Sequence, residues 1–152
     1  MLFHHSHSLK SLSKRINIDL KCLTNWLNAN KISLNSNKTE LLVFKPKRSK
    51  NSSYDIKIKI NGQRLHPSNV VKYLGVYIDK DLNWNYHVNF VCDKLKRANG
   101  ALCKLRHYVT EEILLSLYYS LFNSHLSYSA QVWAQHCNLK NHCILTLQKQ
   151  AV

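Results

Sequence analysis

The sequence predicts an α+β fold: a small, mostly antiparallel sheet with a packed helix, followed by an all-helical bundle. Three observations predict it. Apolar residues recur at steps of three and four from Leu9 to Leu27. Residues Ile32 to Ile78 hold short alternating or apolar runs separated by turn residues. From Trp84 onward only the helical period remains. Strands followed by helices alone mark the α+β class. The boundary is expected at Asp79 to Asn83, giving segments 1–80 and 81–152, and no internal repeat is visible.

The first helix carries Leu9, Leu12, Ile16, Leu20, Leu23 and Leu27 on one face and Lys10, Lys14, Asn17 and Lys21 on another. Ser8 or Ser6 is placed to cap it. It should end at Asn28 to Asn30, where Asn tolerates a left-handed turn. Ile32 and Leu34 alternate with polar neighbours, Asn35-Ser36-Asn37 reads as a turn, and Thr39 to Phe44 as a mostly buried strand. Lys45 to Ser53 has no apolar residue and reads as an exposed basic loop or a nuclear address. Tyr54 to Ile60 sets Ile56, Ile58 and Ile60 against Asp55, Lys57 and Lys59. Asn61-Gly62 follows, and both residues accept the positive φ of a type I′ hairpin. Gln63 to His66 is the returning strand, ended by Pro67. Val70 to Ile78 reads as an apolar strand, with Gly75 marking a bulge or a close approach of another backbone. Asp79 to Asn83 is a turn.

Trp84, Val88, Val91, Leu95, Ala98, Leu102 and Leu105 are spaced 4, 3, 4, 3, 4, 3, which predicts one helix to about Tyr108. Gly100 inside it costs about 1 kcal/mol relative to Ala. Thr110 caps a further helix, with Glu111 and Glu112 favoured in its first turn. The apolar face of that helix holds Ile113, Leu114, Leu117, Leu121 and Phe122. A last helix runs from Asn138 to the end.

The 152 residues include 22 Lys or Arg and 8 Asp or Glu, so 22 − 8 gives +14. An excess of this size points to a polyanion, and nucleic acid fits better than a membrane surface, because the helical stripes read as core-facing. Lys10, Lys14, Lys21, Lys31, Lys57, Lys59, Lys72, Lys94 and Arg97 are the candidate contacts. No apolar run approaches the roughly 18 residues that cross a bilayer, and MLFHHSHSLK lacks the apolar stretch of a signal peptide. Five scattered cysteines, an odd number, point to reduced thiols inside a cell, in nucleus or cytoplasm.

The chemistry-bearing side chains are few. His4-His5-Ser6-His7 has no cysteine nearby, His136-Cys137 and His142-Cys143 are six apart, and Cys103 with His107 lacks a second pair. None has the spacing of a metal site. No Gly-x-Ser-x-Gly and no Gly-rich phosphate loop occurs. Two-metal phosphoryl transfer needs carboxylates converging on ions about 4 Å apart. Asp79 and Asp81 come nearest, in a turn where Asp is expected to bond its own backbone. We therefore assign no catalytic and no metal-binding residue.

Several segments together resemble one family. They are Trp26-Leu27, Asn30 to Asn35, Lys38-Thr39-Glu40 with a strand ending in Phe44, and Val71 to Val76 with Ile78-Asp79. Leu82-x-Trp84-x-x-His87, Leu117-Tyr118, Tyr128 and Val132-Trp133 complete the set. Their order and spacing are similar to the reverse transcriptases (RNA-directed DNA polymerases) of non-LTR, LINE or jockey-type retrotransposons, over nearly the whole chain. The resemblance implies the C-terminal part of a palm over 1–80 and a truncated thumb over 81–152. It implies that Lys38 lies near the incoming nucleotide. It implies that Tyr73, Leu74, Gly75 and Val76 form the primer grip, a hairpin holding the primer's 3′ end, with an RNA or DNA template–primer duplex as partner. The intact family enzyme uses Mg²⁺ held by an Asp-Asp turn. This chain contains no adjacent Asp-Asp, and the resemblance puts that turn just before Met1. The expectation is thus a fragment, inactive alone, that retains template–primer binding and holds no cofactor of its own. The alternatives are a nucleic-acid-binding module or a protein-interaction module derived from a mobile element, the latter presenting residues 110–135 as an apolar groove.

Overall fold

The computed structural model describes residues 1–44, 56–134 and 141–151. The loop expected at Lys45 to Ser53, the start of the following strand at Tyr54-Asp55, and His136-Cys137 lie outside them. Of the described residues 58% are helical and 14% strand, an α+β composition. It divides into two units, Met1–Val71 and Lys72–Val152.

In the first unit, helix α1 (Leu9–Ala29) lays its apolar stripe on a hairpin. The hairpin pairs β2 (Ile58–Ile60) antiparallel with β3 (Gln63–Leu65), in the register Ile58↔Leu65, Lys59↔Arg64 and Ile60↔Gln63. Asn61 (φ 49°) and Gly62 (φ 79°) supply the two positive φ values that the sequence predicts for its turn. Alternation sends Ile56, Ile58 and Ile60 into a core with Leu20, flanked by Ile16, Leu34, Leu41, Val43 and Leu65. It leaves Lys57 and Lys59 exposed on the opposite face. Asn17, in the middle of α1, joins the two layers. Its side-chain amide donates to the Lys57 carbonyl (2.9 Å), and its Oδ1 accepts from the Lys59 N–H (3.0 Å).

Helix α1 ends in a Schellman motif: Ile32 N–H donates to the Leu27 carbonyl and Lys31 N–H to the Asn28 carbonyl. The left-handed position belongs to Lys31 (φ 55°), not to an asparagine. Asn30 instead turns its amide back onto the Trp26 carbonyl (2.8 Å). The Asn35 side chain accepts from Asn37 and Lys38 N–H and so builds the turn over Ser36–Lys38.

The strand expected over Thr39 to Phe44 shrinks to β1 (Leu41–Leu42), which pairs parallel with β4 (Pro67–Ser68). The expected single, mostly antiparallel sheet is therefore three two-stranded pieces among the described residues. Pro67, which has no N–H, restricts that stretch to edge pairing.

The unit boundary falls after Val71, inside β5 (Val70–Tyr73), whereas the sequence put it at 79–83. The reason is packing. Lys72-Tyr73 turns at Leu74-Gly75 into β6 (Val76–Asp79), and β6 packs on helix α2 (Asn85–Leu105). The continuous strand read over Val70 to Ile78 is thus broken at its centre.

Helix α2 is the spine of the second unit and buries Val88, Val91, Cys92, Leu95, Ala98 and Leu102 on one face, as its 4–3 spacing predicts. Around it pack α3 (Glu111–Leu117), a π-helical turn (Tyr118–Asn123), and the short α4 (Ser124–Ser127) and α5 (Ala130–Trp133). Helix α6 (Asn141–Ala151) completes the unit. Phe122, Trp133, Ile144 and Leu147 close the core. The π turn carries one extra residue per turn, so the buried position falls on Phe122. Leu121 and Ile113, expected on the apolar face, are exposed. Buried Asn99 donates to the Leu147 carbonyl (2.8 Å) and ties α6 to α2. No helix among the described residues is long and apolar enough to cross a membrane.

The entry to α2 rests on one carboxylate. Asp79 Oδ1 accepts from Asp81 and Asn83 N–H (3.0 Å each), and Oδ2 accepts from Trp84 N–H (2.9 Å). Leu82 (φ 53°) and Trp84 (φ 59°) are left-handed, so the turn needs this support. Asp79→Ala is expected to destabilise the second unit by about 2 kcal/mol. The readout is a lower urea midpoint at unchanged slope. Asp79→Asn, which keeps one acceptor oxygen, should lose less.

Candidate nucleic-acid interface

A cavity of about 140 Å³ opens in the second unit beside the β5–β6 turn, lined by Lys72, Gly75, Phe90, Lys94, His125 and Tyr128, with His87 and Val91 behind. Leu74 (φ 46°) and Gly75 (φ 82°) both take positive φ at the turn. The Cβ that Gly75 lacks would meet the Tyr128 ring at 3.5 Å, an ordinary contact, so glycine is needed here for its backbone angle. Tyr128 pins the turn by donating its hydroxyl to the Leu74 carbonyl (2.6 Å). Trp133 in turn donates its indole N–H to the Tyr128 carbonyl (3.1 Å).

Two ammonium groups converge on one ring. The Lys72 Nζ lies 5.5 Å and the Lys94 Nζ 5.0 Å from the centre of Phe90, and Lys72 also lies 5.4 Å from that of Tyr77. The ring faces attract both cations and hold them over the cavity. Arg97 follows Lys94 on α2 by three residues, which puts them on one face, and its Nε donates to the Asp93 carbonyl. Burial, then the charges of Lys94 and Arg97, push the His125 imidazole below its ordinary value. The carboxylate of Asp93 bonds Lys96 (3.2 Å). The arrangement can therefore hold an anion between two lysines and an aromatic face.

His87 is the hinge between this cavity and the core. It is buried, its Nδ1 accepts from the Tyr77 N–H (3.3 Å), and its ring meets Trp133 edge-on at 5.5 Å. Accepting at Nδ1 places the proton of the neutral ring on Nε2, which has no partner among the described residues. Burial lowers its pKa from 6.5. The unfolded chain then binds the proton more readily than the folded one, so stability rises with pH through this window. The expected result is a second unit fully stable above pH 6.5 that weakens as pH falls below it. Thermal unfolding from about pH 7.5 to 5 checks this, and an unfolding midpoint that rises on acidification would contradict it.

The structure gathers Lys72, Gly75 and Lys94 around the cavity, with Leu74 held beside it by Tyr128 and Arg97 one turn along α2. Tyr73 and Leu74 are exposed, and Val76 is buried in the core, so only its backbone is presented. Lys31, Lys38, Lys57 and Lys59 are exposed in the first unit. Phe90, His87 and His125 were not singled out as site residues from the sequence. Phe90 lies off the 4–3 stripe, and His87 carried a signal only as the last residue of the Leu82-x-Trp84-x-x-His87 segment, with no role attached to it.

The Asp79 oxygens are committed to three backbone N–H groups, and among the described residues no three His, Cys, Asp or Glu side chains converge. Comparison with known protein families, with curated proteins and with solved structures finds no match to this chain.

Proposed function

We propose that this chain is the C-terminal palm and thumb piece of a non-LTR retrotransposon reverse transcriptase, binding template–primer nucleic acid without polymerising alone. One observation carries the reading. The tight turn at Leu74-Gly75, where the resemblance expects a primer-holding hairpin, opens onto a cavity flanked by Lys72 and Lys94. The +14 charge and the exposed Lys31, Lys57, Lys59 and Arg97 support a polyanion partner. Lys38 is exposed at the end of a turn, open to a nucleotide phosphate. The magnesium of the intact enzyme belongs to an Asp-Asp turn that this chain lacks. A nuclear or cytoplasmic location goes with this reading.

Titration with an RNA–DNA hybrid at rising salt is the test. Affinity should fall steeply, with a log–log slope of about −0.9 for each phosphate neutralised. Lys72→Gln with Lys94→Gln should weaken binding and flatten the slope by about 2, one per cation lost. A salt-independent affinity would refute nucleic-acid binding. Primer extension on an RNA template with Mg²⁺ should give no product, and clear incorporation would refute the inactive assignment. A second reading, a protein-interaction module, draws on exposed Ile113, Leu115, Tyr119 and Val132. Light scattering separates the two, since nucleic-acid binding requires no self-association.

A further inference from the structure

Helices α2 and α6 make the most extensive helix–helix contact of the second unit. Cys92 of α2 lies in the buried core of this unit, and Cys143 of α6 packs against that core. Both line a second cavity of about 410 Å³, together with Asn89, Asp93 and Lys96. Cys92 is buried and Cys143 half-buried. Cys22 and Cys103, by contrast, are exposed. Two thiols on packed helices that line one cavity are placed where an oxidant entering it meets the more exposed of them.

We infer that Cys92 and Cys143 are a dithiol that disulfide oxidants convert to an intrachain disulfide joining α2 to α6. The order of attack follows from burial. Burial, and then the hydrogen bond and charge of Cys143, push the Cys92 thiol up to about 12, with Lys96 opposing. Cys143, half-buried at the cavity, is the thiol an oxidant reaches first, and it gives its proton to solvent as it reacts. It attacks one sulfur of oxidised glutathione, whose other half leaves as thiolate, giving a mixed disulfide. Cys92 then gives its proton to solvent and attacks the Cys143 sulfur, expelling the second glutathione. Two protein thiols lose two electrons and two protons, and one oxidised glutathione becomes two reduced molecules. The inference is independent of the nucleic-acid reading.

The test incubates the full chain in glutathione buffers of rising oxidised share, alkylates the remaining thiols and maps the peptides by mass spectrometry. The expected product joins the Cys92 and Cys143 peptides while Cys22 and Cys103 stay alkylated or carry single glutathiones. Its unfolding midpoint should rise and return on reduction with dithiothreitol. Cys143→Ser should show neither change, and Cys22→Ser with Cys103→Ser should keep both. The wild-type map stands even if a variant fails to fold. A Cys143 that stops at the glutathione adduct, a link from Cys92 or Cys143 to any other cysteine, or an unreactive pair would overturn the inference.

Discussion

Replacing Trp133 by Ala is expected to lower the stability of the second unit by about 3–5 kcal/mol. The side chain is 1% exposed, among the largest fully buried groups in the protein. Truncation removes its ring from the core, leaves the Tyr128 carbonyl without its indole donor, and removes the edge-on neighbour of His87. In a unit of this size 1 kcal/mol moves the unfolding midpoint by about 4–8 °C, so a fall of more than about 10 °C is expected. Trp133→Phe should retain much of the burial and lose far less. The cavity should suffer too, because Trp133 holds Tyr128 and Tyr128 holds Leu74. A cost below about 1 kcal/mol for the Ala variant would mean that the indole does not fill the core.

Ile58→Ala should cost the first unit about 2–5 kcal/mol. Ile58 is 1% exposed between Ile56 and Ile60, at 2% each, and all three belong to the core cluster of Leu20 on α1. Among the described residues this core holds four buried apolar side chains, so one truncation removes a large share of it. Amide hydrogen exchange reads the effect locally. Protection over 56–65 should fall sharply while α2 keeps its own. Equal loss across both units would show instead that they unfold as one. Lys59→Ala, on the exposed face of the same strand, should stay within about 0.5 kcal/mol of the parent.

The helices were legible because their faces are one-sided. The 4–3 stripe from Trp84 gives α2, and the stripe from Leu9 gives α1, within a few residues at each end. The Asn61-Gly62 turn was legible because two residues that tolerate positive φ stand together between alternating strands. The break at Leu74-Gly75 was hidden from the residue pattern, since Leu rarely adopts positive φ and an apolar run offers no polar turn signal. Only the family resemblance pointed to a hairpin there. Phe122 was expected on the apolar face and is buried, but the exposure of its neighbour Leu121 was hidden for a different reason. A π turn is stabilised by the packing it reaches, and single-residue spacing does not announce it. The candidate site was half legible. Lys72, Gly75 and Lys94 were singled out separately, but their convergence on Phe90 and Tyr128 spans residues 72 to 128 and exists only in the folded chain.

Asn17 has a consequence that reaches beyond the helix it sits on. In a two-stranded ribbon each strand has an outer rim of unpaired peptide groups, and such a rim invites a strand from a neighbouring molecule. On β2 the Lys57 carbonyl and the Lys59 N–H form that rim, and one asparagine amide occupies both, acting as a substitute for a third strand. Asn17, with the Ser13 hydroxyl on the same Lys57 carbonyl (2.8 Å), thus occupies peptide groups that a further strand would need for pairing.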